Sequence, residues 1–126
     1  MSNEVHHFSW NELMSKNVKK DRAFYKAVFN WDSEDRQFGE TMYTLFKANG
    51  VEVAGMMAAP DECPNPNSSW LSYVTVSDVD ATVKKATEAG ADIVLPRMDI
   101  EGVGIIAAAV DVSGAPIGFY QPTGKC

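Results

Sequence analysis

The 126-residue chain has 45% hydrophobic residues and a formal net charge of −6, a composition typical of one globular domain over residues 1–126. No apolar run reaches the roughly 18 residues that a membrane-spanning helix needs, and the first residues are polar, so we expect a cytoplasmic protein without membrane contact. The acidic balance argues against nucleic acid as a partner, because phosphate binding uses clustered Lys and Arg.

The first half of the chain is predicted to form a strand, a helix and three strands. A strand from His6 to Met14 leads into a helix from Val18 to Phe29, for which Asn17 is a suitable N-cap. Asn30 then stands where a left-handed residue ends the helix. The dipeptide Asn49-Gly50 predicts a tight hairpin between the last two strands. The three predicted strands are Trp31–Gln37, Met42–Lys47 and Val51–Met57.

The second half repeats this pattern after a linker over residues 58–69 that is rich in Pro and Asn. A strand from Trp70 to Ser77 precedes a helix that Asp78 caps and Gly90 stops. The three strands that follow are Asp92–Leu95, Ile105–Val110 and Pro116–Gln121. Cys63 in the linker and the terminal Cys126 match neither a disulfide framework nor a paired metal motif, so we expect two free thiols.

The two halves therefore form an internal repeat of βαβββ units, over residues 6–57 and 70–122. Neither half can bury its sheet alone. We expect an α+β fold in which the paired units form a curved mixed sheet around a cavity, with the helices on the outer face.

Alternation along the strands predicts which side chains face this cavity. Aligning the repeats makes Glu12 equivalent to Tyr73, and Ala54 equivalent to Gly118. Glu12 is the notable member, because a carboxylate inside a strand needs a hydrogen-bond donor or a ligand. It is predicted either to be a buried residue held by Tyr73 or to bind a ligand, with a general-base role if it is desolvated. The predicted ligand-binding residues are Trp10, Glu12, Met14, Met56, Leu71, Tyr73, Thr75 and Tyr120.

Several stretches resemble the glyoxalase, bleomycin-resistance and extradiol-dioxygenase superfamily, also called vicinal oxygen chelate proteins. They are Trp10-Asn11-Glu12-Leu13, Ala23-Phe24-Tyr25, Phe29-Asn30-Trp31, Val53-Ala54-Gly55-Met56, Trp70-Leu71-Ser72-Tyr73 and Gly102-Val103-Gly104. The resemblance covers nearly the whole chain and implies a glyoxalase-like protein that forms a homodimer.

Enzymes of that superfamily hold a divalent metal such as Zn, Ni, Mn or Fe on the first and last strands of each unit. Carried over to this sequence, the ligand positions fall on Trp10, Ala54, Leu71 and Gly118, none of which has a metal-binding side chain. His6 and His7 lie five or six residues from Glu12, roughly 17–20 Å along a strand, too far to share one metal with it. We therefore expect no metal and no other cofactor.

Three functions remain open from the sequence. The first is a metal-independent binding module for a small organic molecule. The second is a lyase, isomerase or dioxygenase of the glyoxalase type, with a metal held by Glu12 and other ligands. The third is metal-free acid–base catalysis by Glu12. The segment 97–104 is predicted to be a hairpin connection, with a lid as the alternative, and Trp31 and Trp70 are expected in the core or at an interface.

Overall fold

A computed structural model describes residues 4–59 and 67–122, so both cysteines and most of the predicted linker lie outside the described residues. The elements are β1 (Phe8–Ser15), α1 (Val18–Phe29), β2 (Asp32–Phe38), β3 (Thr41–Ala48), β4 (Val51–Ala58), β5 (Ser69–Thr75), α2 (Val79–Glu88), β6 (Asp92–Ile100), β7 (Gly104–Val110) and β8 (Pro116–Pro122). This order confirms the α+β class and the two βαβββ repeats. Neither helix is long and apolar enough to span a membrane within the described part of the chain.

Both helices begin at the predicted caps. The Asn17 side chain accepts a hydrogen bond from the Lys20 backbone N–H at 3.0 Å, and Asp78 accepts one from the Ala81 N–H at 3.1 Å. Each bond satisfies an N–H group that the first helical turn leaves without a partner. Asn30 ends α1 in the predicted left-handed conformation, with φ of 59°.

The hairpin between β3 and β4 is also as predicted, since Asn49 and Gly50 both have positive φ, 53° and 82°. The end of β6 differs from the prediction, because the strand continues to Ile100 instead of stopping at Leu95. Its register with β7 is irregular between Leu95 and Met98. This irregularity accommodates Pro96, which cannot donate a ladder hydrogen bond.

The chain divides into two compact units, and the two boundaries between them fall within β1 and within β5. We call Asn11–Trp70 the first unit and Met1–Trp10 with Leu71–Cys126 the second unit. In the first unit the strand order is β2-β3-β4-β1, with β1 parallel to β4 and the others antiparallel. The residues packed beneath α1 are Leu13, Phe46, Ala54 and Met56, with Val18, Tyr25, Trp31 and Val53 around them.

In the second unit the order is β5-β8-β7-β6, with β5 parallel to β8. The residues before β1 join this unit through β5, where the Thr75 N–H donates to the His7 carbonyl at 2.9 Å. Val76 lies under α2. The buried residues of this core are Val76, Val79, Ala107, Ala109 and Phe119.

Candidate functional site

Glu12 lies on the face of the first unit's sheet that is turned away from α1. Its neighbour Leu13 packs in the core beneath α1, and alternate side chains of a strand point to opposite faces. Met14 shares the Glu12 face for the same reason. Glu12 is only 3% exposed, so the sequence folds a carboxylate into the interior rather than leaving it in water.

The strand registers confirm that Glu12 and Tyr73 occupy equivalent places in the two repeats. Glu12 is paired with Gly55 on the parallel neighbour β4, and Tyr73 is paired with Gly118 on the parallel neighbour β8. The same registers correct the sequence alignment by one residue, since the counterpart of Gly118 is Gly55 and not Ala54.

The cause of this shift is an irregularity in β4. Phe46 of β3 pairs with Ala54, whereas the next residue, Lys47, pairs with Glu52, so Val53 is an extra residue in β4. The shift also changes the assignment of Met56, which is fully buried beneath α1. Met56 therefore does not share the Glu12 face, and its predicted ligand-binding role is corrected.

The residues at the four positions expected to hold a metal do not fit a metal ion. With the corrected register these positions are Trp10, Gly55, Leu71 and Gly118, which offer an indole, an isobutyl group and two hydrogen atoms. Divalent metals bind imidazole, carboxylate or thiolate groups. Across residues 4–59 and 67–122 no three His, Cys, Asp or Glu side chains are arranged to hold a metal ion.

The second unit contains the remaining predicted site residues. Leu71, Tyr73 and Thr75 are buried on β5. Phe119 packs under α2, so its neighbours Gly118 and Tyr120 point to the other face of β8. The ligand-binding role of these residues stays a prediction.

Tyr120 is held by a hydrogen bond to the turn between β6 and β7. Its hydroxyl donates to the Val103 carbonyl at 3.2 Å, and burial raises the pKa of Tyr120. The hydroxyl therefore stays protonated at neutral pH and acts as a hydrogen-bond donor rather than as a base. The hairpin connection is shorter than the predicted segment 97–104: the turn covers residues 101–103 only, and residues 97–100 belong to β6.

The first unit also carries an aromatic groove that the sequence analysis did not predict as a site. The groove has a volume of about 700 Å³ and opens beside α1. Trp31 stacks on Tyr25 with 5.5 Å between ring centroids, and the Trp70 Nε1–H donates to the Tyr25 hydroxyl at 3.0 Å. The lining residues are Asn11, Phe24, Tyr25, Val28, Phe29, Trp31, Val53, Ala54 and Trp70.

The sequence signal for this groove is visible in retrospect. Phe24 and Val28 are four residues apart on α1 and form a second apolar stripe, although Tyr25 already packs against the sheet. Phe24 and Phe29 stay 55% and 56% exposed. A helix that packs against a sheet on one side only normally has a narrower apolar face than α1 has.

Comparison with known proteins identifies the class to which this fold and site belong. The family model for the Glyoxalase/Bleomycin resistance protein/Dioxygenase superfamily matches residues 4–120. The chain therefore belongs to this superfamily, and the resemblance seen in its sequence is confirmed.

Two curated relatives share sequence with the chain. CFP32 of Mycobacterium tuberculosis is 29% identical over 116 residues, which cover 90% of this chain and 44% of that protein. The anthracycline biosynthesis protein DauV of a Streptomyces species is 28% identical over 126 residues, covering 90% and 46%. The chain thus spans less than half the length of these relatives.

Solved structures of the superfamily share the fold. Methylmalonyl-CoA epimerase from Mycobacterium tuberculosis has a TM-score of 0.63 at 14% identity and covers 98% of this chain and 94% of its own. The Mn(II)-bound glyoxalase from Novosphingobium aromaticivorans has a TM-score of 0.57 at 17% identity, covering 93% and 39%. These likenesses concern the fold alone, because the identities are low.

Proposed function

We propose that this glyoxalase-like chain binds a small organic molecule without the metal of its superfamily, and that Glu12 is the polar group that recognises the ligand. The burial of Glu12 supports this proposal most strongly, because its side chain is only 3% exposed on the sheet face away from α1. A buried carboxylate beside apolar side chains such as Met14 is a strong and directional hydrogen-bond acceptor.

The donor chemistry supports recognition rather than metal catalysis. The four positions that correspond to metal ligands carry Trp10, Gly55, Leu71 and Gly118, and a metal-dependent lyase, isomerase or dioxygenase needs several donors around one ion. Glu12 alone supplies one. The proposal includes a cytoplasmic location, where Cys63 and Cys126 would remain thiols.

A ligand screen by thermal shift tests the proposal directly. The wild-type chain, with chelator present, is expected to gain thermal stability with at least one small organic molecule, because a ligand that binds the folded state stabilises it. Glu12→Gln is expected to abolish this gain. Glu52→Gln is the matched control, since Glu52 lies on β4 and forms an exposed ion pair with Arg36 at 3.1 Å.

The contrary outcomes of the screen are equally specific. A ligand that binds only after Zn, Ni, Mn or Fe is added would support the metal-dependent alternative. A ligand whose shift is the same in wild type and Glu12→Gln would show that recognition does not use Glu12.

We also propose that the chain pairs with a second copy through the exposed side of α1. The aromatic groove there is lined by the exposed apolar side chains of Phe24, Val28 and Phe29 together with Trp31 and Trp70. A twofold interface would cover this apolar patch on both copies at once, because each partner offers the same surface. The matched segment covers 44% and 46% of the two curated relatives. The rest of each relative is therefore slightly longer than the segment that matches this chain.

Light scattering after size exclusion tests this pairing. We expect a dimer for the wild type and a monomer for Phe24→Ser with Phe29→Ser, with unchanged circular dichroism. The control is Val112→Ser, another exposed apolar residue, which lies in the second unit. A wild-type monomer at high micromolar concentration, or a dimer that survives both substitutions, would contradict the proposal.

A further inference from the structure

The two glycines that stand at the closing-strand metal positions are strand residues with ordinary backbone geometry. Gly55 and Gly118 lie within β4 and β8, and neither has a positive φ, unlike Gly50 or Gly114. The backbone therefore does not require glycine at these places. Glycine inside a strand costs conformational entropy and commonly marks a close approach of another group.

In both units the approaching group is a tyrosine ring. A Cβ added at Gly118 would lie 2.8–3.0 Å from Cδ1, Cγ and Cδ2 of Tyr73, well inside the normal separation of carbon atoms of about 3.5–4.0 Å. A Cβ added at Gly55 would overlap Oη, Cζ and Cε2 of Tyr43. Tyr73 is 1% exposed and Tyr43 is 9% exposed, so neither ring can turn into solvent without opening the core.

The two rings come from different strands. Tyr73 belongs to β5, the parallel neighbour of β8. In the first repeat that position holds Glu12, and the ring comes instead from Tyr43 on β3, the antiparallel neighbour of β4. The same space is thus filled in both repeats although the sequence solution differs, which indicates a requirement at the glycine rather than an accident of one packing.

We infer that Gly55 and Gly118 are packing slots for Tyr43 and Tyr73, and that these rings close the two positions from which the superfamily's closing strands would contribute a metal ligand. What the filled positions mean for function rests on the metal-free ligand binding proposed above. The chain lacks donor side chains at these two positions, and tyrosine rings occupy the volume that a carboxylate side chain there would need.

A pair of double-mutant cycles tests the slots. Gly→Ala in a strand with negative φ is ordinarily neutral or stabilising, so a loss of stability reports the clash. We expect Gly118→Ala to lower the melting temperature by about 5 °C or more. In a Tyr73→Ala background, which removes Cγ, Cδ1 and Cδ2, the same substitution is expected to be neutral or stabilising.

The second cycle keeps the inference testable if Tyr73→Ala does not fold. Tyr43→Leu removes Oη, Cζ and Cε2 but keeps apolar bulk, and Gly55→Ala is expected to be tolerated only in that background. Equal effects of Gly→Ala with and without the tyrosine in both cycles would overturn the inference.

Metal titration tests whether a carboxylate at either glycine position can bind a metal ion. Gly118→Glu and Gly55→Glu are expected to melt below wild type and to show no saturable Zn²⁺ binding by calorimetry. A Gly118→Glu protein with wild-type stability and one bound Zn²⁺ would overturn the inference. The proposed ligand binding is measured separately, on the wild type. If the double-mutant cycles are additive and the wild type still responds to a ligand, the packing slots are rejected while the proposed function stands.

Discussion

Glu12 illustrates what alternation along one strand can predict. The sequence places an acid between residues that face a sheet, and the structure buries that acid on the face opposite Leu13. Equivalence to Tyr73 follows from the repeat, and the registers confirm it. The role of Tyr43 could not be predicted, because the contact with Gly55 joins different strands and depends on ring position rather than on spacing.

The hydrogen bond of Tyr120 gives a prediction for a single residue. Tyr120→Phe removes the bond to the Val103 carbonyl and is expected to cost about 1 kcal/mol of unfolding free energy. Hydrogen exchange should quicken at the Val103 N–H, which donates to the Ile100 carbonyl at 3.0 Å across the same turn. Unchanged exchange at Val103, compared with the distant turn at Gly50, would show that Tyr120 does not hold this turn.

Sequence patterns predicted the bounds of an element well where the interactions that fix those bounds join residues close in sequence. The bounds of α1 match the prediction at both ends because Asn17 and Asn30 act on their own neighbours. The β4 register was wrong by one residue because the extra residue Val53 is a matter of pairing with β3. The end of β6 was missed for a similar reason, since a proline at an irregular register does not stop the strand.

The two helix caps should contribute similarly to stability. Asn17→Ala and Asp78→Ala each remove a side-chain acceptor from a first helical turn, and each is expected to cost about 1 kcal/mol. Urea denaturation measures the loss. Lys19→Ala, at an exposed position of α1, serves as the control and should change stability by less than about 0.5 kcal/mol. Caps that cost no more than the control would contradict the assignment.

An ion-pair network on β2, β3 and β4 predicts a pH dependence. Glu34 accepts hydrogen bonds from Arg36 and Lys47 at 2.8 and 2.6 Å. These bonds, first of all that from Arg36, lower the pKa of Glu34 from 4.5 to about 2. Because the folded-state pKa is depressed, the stabilisation is present above the unfolded value and is lost as pH falls towards about 2.

Thermal melts between pH 2 and pH 5 test this network. The fall in melting temperature over that window is expected to be smaller in Glu34→Gln than in the wild type, and smaller in high salt because the groups are exposed. Glu40→Gln, in the neighbouring turn, should retain the wild-type dependence. Identical curves for Glu34→Gln and wild type would show that Glu34 does not contribute.

The internal repeat and the order of its motifs identified the superfamily from the sequence, and the family match over residues 4–120 confirms it. The fold is shared with an epimerase and a glyoxalase at 14% and 17% identity, so function depends on the site residues rather than on the fold. The aromatic groove beside α1 was not predicted, because its two sides, Phe24 and Trp70, are distant in sequence.

The metal content of the purified protein tests whether the chain works without the metal of its superfamily. Wild-type protein is purified without chelator, analysed for Zn, Ni, Mn and Fe, and melted with each metal added. We expect far less than one metal per chain and no metal-dependent rise in melting temperature. One tightly bound metal per chain that is absent from Glu12→Gln would contradict metal-independent ligand binding.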